Sequence, residues 1–378
     1  MSGVDDLVLY GAAFLLPLAG TLLFTPVAAV LARRIGVLDR PNERKAHVEA
    51  TPYLGGVAVV VGLVVAGIVI GSTARQAAVI AACAMAIFLL GLYDDVRGLG
   101  PVSKVCVEAA LAVVLWFADV RAGFFGIPAL DLVLTIAWVV VIVNAVNLLD
   151  NMDGLASGVA VIAGIAYFSI AAAQGDYLVA ALAAALAGTS VGFLRHNFPP
   201  ARIFLGDAGS LLLGLLLAVL GLLIDLAGPS NAVRIGIQAL ILGVPVFDTA
   251  LVVASRWRGG RPITLGGTDH SSHRLFRVGL SGRQVAFVIY AGQLATASVA
   301  VALVNAPSIA ATVALAWLSI GTAVGVMVGL RRRTVGARTI RGATAERRWP
   351  GGPASHRARR TRAAIAERPV RSRHPSAP

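Results

Sequence analysis

An all-α fold that crosses a membrane about eleven times is what this sequence predicts, and three observations predict it. The chain of 378 residues is 57% hydrophobic and only 13% charged, against about 25% charged in an ordinary soluble domain. Its apolar residues fall into eleven stretches, roughly 7–31, 53–71, 75–93, 103–119, 129–148, 155–173, 177–194, 207–226, 234–255, 284–304 and 308–330. Most of these reach the roughly 20 residues that a spanning helix needs. With the N-terminus outside, the inner segments then hold 29 of the 32 Lys and Arg residues, and such an excess sets membrane orientation.

The elements follow in order. The first stretch comes after Asp5 and Asp6 instead of a basic segment. It is too long for a signal-peptide core and no small-residue cleavage pattern follows, so it is read as retained. The fourth stretch, 103–119, is short and carries Glu108. The inner loops are about 32–52, 94–104, 149–154, 195–206 and 256–283, and only Arg75, Arg121 and Arg234 fall outside. An odd number of spans leaves the C-terminus inside. The domain boundary is placed at residue 330. Residues 331–378 carry 14 Arg against Glu346 and Glu367, which is +12 of the chain's net +13. A tail of Arg, Ala and Pro cannot bury enough surface to fold alone and is expected to be disordered. It suits anionic lipid headgroups, at about 1 kcal/mol per basic residue near the surface. No folded module accompanies that charge, so no nucleic-acid partner is expected. Cys83 and Cys106 both lie in apolar stretches and read as small hydrophobes.

All the polar motifs fall on one side. They are "DRPNERKAHVEATPYLGG" (39–56), "YDDVRGLGPVSK" (93–104), "NAVNLLDNMDGLASG" (144–158), "RHNFPPARIFLGDAGS" (195–210) and "RWRGGRPITLGGTDHSSHRL" (256–275). Transporters place ionisable residues near the bilayer midplane along a path. Gathering them at one interface suits instead an enzyme that joins a water-soluble substrate to a lipid headgroup. A transporter of lipids or anions is the distant alternative, and it predicts Asp94, Asp150 and Asp207 far apart.

Asp94 and Asp95 are adjacent at the inner end of a span. Neighbours on a helix point about 100° apart, so a turn is expected if both are to face one site. Paired carboxylates at a dry interface repel unless a cation joins them, and Mg²⁺ takes oxygen ligands and bridges to phosphates. Asp207 precedes a new apolar helix, where it serves either as a helix cap or as a ligand. Asn144, Asn147, Asp150 and Asp153 recur every third residue and so form one polar stripe on a helix. A stripe of hydrogen bonds between helices is the plain reading of the two amides. The two following carboxylates favour a ligand-facing stripe. The chain holds 30 Arg and only two Lys, Lys45 and Lys104. Lys is a compact charge suited to phosphate and Arg a bidentate fork, so retained Lys residues beside Asp and Asn point to phosphate. Arg256, Arg258, Arg261, Arg274, His270 and His273 form a basic loop that suits a diphosphate.

Together these five motifs, over about residues 33–280, resemble the polyprenyl-phosphate N-acetylhexosamine-1-phosphate transferases of glycosyltransferase family 4. The match looks closer to the branch that uses UDP-N-acetylglucosamine than to the branch that uses UDP-MurNAc-pentapeptide. The resemblance implies transfer of a sugar 1-phosphate from a UDP-sugar to undecaprenyl or decaprenyl phosphate, with release of UMP. It implies a need for Mg²⁺, with Mn²⁺ as a substitute, at an active site on the cytoplasmic face of the cell membrane. It leaves room for a homodimer. Asn147 and Asp207 resemble the metal ligands. Asp94 and Asp95 match the acidic pair at the lipid phosphate, and Asp150 and Asp153 the third motif near the nucleotide and sugar phosphate. Asn42, Lys45, Lys104, Asn144 and Asn197, with Arg256, Arg261, His270, His273 and Arg274, fall on the substrate-binding side. Two departures stand out. Asn151 replaces the first glycine of the "DGxDG" pattern, and "DHSSHRL" has fewer His than the usual "HxHH" cluster, with Arg274 in place of one.

Overall fold

The computed structural model describes residues 3–39, 51–72, 74–224, 226, 230–262 and 267–305, together with positions 315, 318, 319 and 322. Asn42, Lys45, the domain boundary at 330 and the tail from 331 lie outside the described residues. The described chain is helical apart from a two-residue pair of strands. α1 (Gly3–Ile35) leads to β1 (Leu38–Asp39), which pairs antiparallel with β2 (Thr51–Pro52) in the register Leu38 to Pro52 and Asp39 to Thr51. There follow α2 (Gly55–Ile70), α3 (Arg75–Arg97), α4 (Pro101–Trp116), α5 (Pro128–Leu149), α6 (Leu155–Gln174), α7 (Tyr177–Asn197), α8 (Gly206–Leu223), α9 (Asn231–Ile241), α10 (Gly243–Arg258), α11 (Ser271–Arg277) and α12 (Gly282–Asn305).

Among the described residues, seven of the eleven apolar stretches are helices long and apolar enough to cross a membrane. These are Asp6–Ile35 within α1, α3, α5, α6, α7, α8 and Gly282–Val304 within α12. The stretches at 53–71 and 103–119 form α2 and α4, of 16 residues each. At about 1.5 Å per residue each is roughly 24 Å long, short of the roughly 30 Å hydrocarbon core. The ninth stretch is two helices, α9 and α10, bent by 89°, and most of the eleventh lies outside the described residues.

Local chemistry explains the boundaries. Pro101 and Pro128 open α4 and α5, where a missing N–H costs no hydrogen bond. The Asp176 carboxylate caps α7 by accepting the Val179 N–H at 3.1 Å. Between α9 and α10, Pro245 has no N–H to offer the Ile241 carbonyl. Gln293 of α12, fully buried, takes over: it donates to the Ile241 carbonyl at 2.5 Å and accepts the Val244 N–H at 3.0 Å.

α8 is the axis of the bundle, buried almost along its whole length. α3 and α5 pack along it, with α2, α6 and α7 on its other sides, while α1 lies across α2 and α7. Small residues permit the close crossings that membrane helices favour. A side chain at Gly91 of α3 would stand 2.5 Å from the Asp207 carbonyl oxygen. That glycine brings the inner end of α3 against the first turn of α8.

Candidate active site

The site is built where α3, α4, α5 and α8 meet. Asp94 and Asp95 sit in the last turn of α3 without any intervening turn, and each serves a different partner. Asp95 Oδ1 accepts the Asp207 N–H at 2.7 Å and Oδ2 the Ala208 N–H at 3.0 Å. Two N–H groups that the start of α8 cannot satisfy internally thus receive a carboxylate from another helix. Gly206 makes room for it. Its φ is +75°, and a β-carbon there would lie 2.6 Å from Asp95 Oδ2.

With the cap supplied by Asp95, the Asp207 carboxylate is left for other groups. Lys104 Nζ stands 2.8 Å from Asp207 Oδ2 and 2.7 Å from Asp94 Oδ2, one ammonium bridging two carboxylates. Asp94 also accepts the Leu99 N–H, which folds the turn into α4 back onto α3. Asn147 of α5 donates to Asp207 Oδ1 at 3.0 Å and to Ser210 Oγ at 2.9 Å. Asp94, Asp95 and Asp207 line a cavity of about 570 Å³ together with Gly36, Leu38, Asp39 and Tyr53. Asp150, just past α5, is half-buried beside them. Burial pushes its carboxyl well above the ordinary carboxylate range, and the charges of Asp207, Asp95 and Asp153 add to the rise.

The row of polar residues on α5 divides. Asn147 meets Asp207, whereas Asn144, one turn earlier, donates to the Glu108 carboxylate of α4 and to the Val140 carbonyl at 2.9 Å. A stripe of period three drifts around a helix of 3.6 residues per turn, so its outer end reaches a different neighbour. Glu108 is fully buried. Asp153 holds the fourth loop by accepting the Ala201 N–H at 2.8 Å. Asn197 is also buried and braces two loops at once. Its Oδ1 accepts the Gly154 N–H at 2.9 Å and the Ser157 hydroxyl at 3.3 Å, and its Nδ2 donates to the Ile203 carbonyl at 3.0 Å. The structure therefore gives Asn144 and Asn197 protein partners. The glycine pair of the first motif has a backbone reason: the Gly55 and Gly56 N–H groups donate to the carbonyls of Phe204 and Leu205, each at 2.9 Å.

The fifth loop organises itself around Asp269. Arg261 Nη2 lies 2.8 Å from its Oδ1, Arg256 Nε 3.4 Å from its Oδ2, and Arg274 Nε donates to its carbonyl oxygen at 2.7 Å. Burial alone would raise the Asp269 carboxyl, but Arg261 and Arg256 hold it below the ordinary range. His270 is buried, with Nδ1 2.7 Å from Asp248 Oδ2, and Asp248 Oδ1 accepts the Ser271 N–H at 2.7 Å. His273 is half-buried with its ring 5.9 Å from that of His270. Burial, with His270 and Arg277 nearby, pulls its imidazole below the usual histidine value. The loop is joined to the carboxylate side by Ser272, whose hydroxyl donates to Asn151 Oδ1 at 2.5 Å.

Sequence reasoning missed Asp248, Glu108 and Ser210. Asp248 and Glu108 are single carboxylates inside apolar runs, and that isolation was the available signal. Ser210, in the "LGDAGS" stretch, carried none.

The geometry now stands beside comparisons with known proteins. The profile of glycosyl transferase family 4 matches residues 77–225. The chain is 36% identical over 289 residues to the probable undecaprenyl-phosphate N-acetylglucosaminyl 1-phosphate transferase of Bacillus subtilis, covering 74% of this chain and 80% of that protein. It is 33% identical over 312 residues to the decaprenyl-phosphate N-acetylglucosaminephosphotransferase of Mycobacterium tuberculosis, covering 71% and 76%. It is 31% identical over 242 residues to the phospho-N-acetylmuramoyl-pentapeptide-transferase of Bacillus cytotoxicus, covering 58% and 75%. The family profile, together with relatives 33–36% identical over more than two thirds of both chains, shows that the chain belongs to glycosyl transferase family 4.

Proposed function

We propose that this protein transfers N-acetylglucosamine 1-phosphate from UDP-N-acetylglucosamine to a polyprenyl phosphate, undecaprenyl or decaprenyl, and releases UMP. The observation that carries the reading is the Asp94–Lys104–Asp207 bridge beside the 570 Å³ cavity, with Asn147 on the same aspartate. Two relatives named as N-acetylglucosamine phosphate transferases align over 74% and 71% of this chain, against 58% for the muramoyl-pentapeptide enzyme, and so support the donor. The concentration of basic residues in the polar loops supports a cytoplasmic site.

Mg²⁺, with Mn²⁺ as a substitute, fits the donor chemistry. Asp207 would hold it with its carboxylate, and Asn147 with its amide oxygen, turned in place of the Nδ2 that here donates to Asp207. Among the described residues no three His, Cys, Asp or Glu form a ligand group by themselves. A magnesium site needs none, because that ion usually takes one or two carboxylates and completes its shell with water and substrate phosphates. When bound, the ion neutralises the diphosphate and makes UMP a better leaving group.

The chain's own residues do the remainder. Lys104 attracts the lipid phosphate to the cavity, and Lys45 supplies a second positive charge for that phosphate. Asp94 fixes Lys104, and Asp95 fixes the first turn of α8 so that Asp207 stays in place. Asp150 and Asp153 flank the nucleotide and sugar phosphate, and Arg256, Arg261, His273 and Arg274 hold the diphosphate charge from the fifth loop. A lipid phosphate is mostly ionised at neutral pH, so alignment and charge stabilisation outweigh proton removal. The lipid phosphate attacks directly; trapping a phosphorylated Asp94 or Asp95 would refute that. The test is UMP release by purified protein with UDP-N-acetylglucosamine, polyprenyl phosphate and Mg²⁺. Release requires both substrates, stops with a chelator, returns with Mg²⁺ and is absent in Asp207→Asn. Release with another UDP-sugar alone would keep the mechanism and replace the donor.

A further inference from the structure

Two departures from the family pattern touch each other. Asn151, which stands where the third motif has glycine, accepts the hydroxyl of Ser272, which lies in the fifth loop's histidine-poor stretch. We propose that Asn151 and Ser272 form a clasp that sets the spacing between the carboxylate cluster and the basic loop, and so positions the donor's diphosphate. This rests on the function proposed above.

α11 has only seven residues. A helix that short is not stable alone, so tethers decide where it lies. One tether is Asp248 of α10, which takes His270 Nδ1 and the Ser271 N–H, both at 2.7 Å. It fixes the start of α11 but does not connect it to the carboxylates. Ser272 makes that connection. Its side chain is fully buried, and its hydroxyl donates at 2.5 Å to a residue 121 positions earlier in the chain. The acceptor is itself held, because Asn151 Nδ2 donates to the Leu148 carbonyl at 2.7 Å. Asn151 follows Asp150 and Ser272 precedes His273, so the bond joins the two halves of the site one residue from each. Taking away Asn151 leaves the fully buried Ser272 hydroxyl unsatisfied, and taking away Ser272 leaves the half-buried Asn151 oxygen without its protein partner. The cheapest relief is for α11 to move off the third loop, carrying His273 and Arg274 away from the carboxylates.

Asn151→Gly, Ser272→Ala and the double variant test this, with hydrogen exchange and kinetics measured on the full chain in detergent. Exchange at the amides of Ser271–Arg277 becomes faster in both single variants. The KM for the UDP-sugar rises about tenfold, as expected for one lost hydrogen bond, while the KM for polyprenyl phosphate stays within about twofold. The double variant is no worse than the more damaged single one, since both remove the same bond. Unchanged exchange in Asn151→Gly would refute the clasp. Faster exchange with both KM values rising together, or with losses that add, would refute the positioning role. A wild-type protein that turns over no UDP-sugar would refute the function reading, and the exchange comparison would still decide whether the clasp exists.

Discussion

Replacing Asp95 by alanine separates two readings of the adjacent carboxylates. In the structure Asp95 spends both oxygens on the first turn of α8, at 2.7 and 3.0 Å. Removing a helix cap costs about 0.5–2 kcal/mol, and hydrogen bonds to a charged group are worth about 1.5–3 kcal/mol each. The cavity beside Asp95 admits water, which recovers part of the loss. The net cost expected for Asp95→Ala is therefore about 2 kcal/mol, near the upper end for one cap. Asp95→Asn keeps one good acceptor and turns an N–H₂ toward the other amide, so about half that cost is expected. Asp94→Ala leaves the α8 cap intact but removes the acceptor of the Leu99 N–H and one of the two carboxylates on Lys104, and is expected to lose activity with about 1 kcal/mol of stability. Unfolding of the three variants in mixed detergent–SDS micelles, with UMP release measured in parallel, orders them. Asp95→Ala as stable as wild type but inactive would refute the capping argument and return Asp95 to the chemistry.

Three further outcomes are expected. Lys104→Met, which leaves Asp94 and Asp207 facing each other without their ammonium, lowers kcat/KM by about 10²-fold or more, and unchanged turnover would count against the phosphate-binding role. Asn197→Ala, which strands the Gly154 N–H and the Ile203 carbonyl in a buried place, destabilises by about 3 kcal/mol. Its residual activity follows the amount of folded protein, and a selective KM change would instead make Asn197 a substrate contact. His273, whose pKa lies below the histidine reference, is neutral at pH 7 and gains a proton only as pH falls below about 6.5. The KM for UDP-sugar therefore decreases with acidification in wild type and loses that dependence in His273→Ala. Because the unfolded chain binds that proton more readily, the same residue makes stability rise with pH up to about 6.5.

The broad architecture was legible because hydropathy is a long-range average, and seven long apolar helices follow the stretches read from it. What was not legible depends on neighbours. Within 234–255, Pro245 is a visible breaker, but a breaker does not give the 89° of the bend; the bend persists because Gln293, far along the chain, satisfies the broken ladder. The convergence of Asp94, Asn147 and Asp207 was readable from types and spacing. Their division of labour was not. Asp95 reads as one half of an acidic pair until α8 is seen to begin on it. Asn144 reads as a ligand until Glu108, lone in an apolar run, is found opposite. The clasp was invisible for the same reason, since a serine and an asparagine 121 positions apart carry no pattern.

The close approach of α3 to α8 at Gly91 and Gly206 has a consequence for anyone mapping this protein by saturation mutagenesis. A readout of cell growth or product would score these two glycines as harshly as Asp207, although neither carries a functional group. At Gly91 any side chain drives two helix backbones apart, and at Gly206 it evicts the Asp95 carboxylate. Ranking positions by lost output would draw a catalytic centre larger than its true size. Measuring membrane abundance for each variant alongside output would redraw it at its chemical boundary, with the glycines on the abundance axis and Asp207 and Lys104 off it.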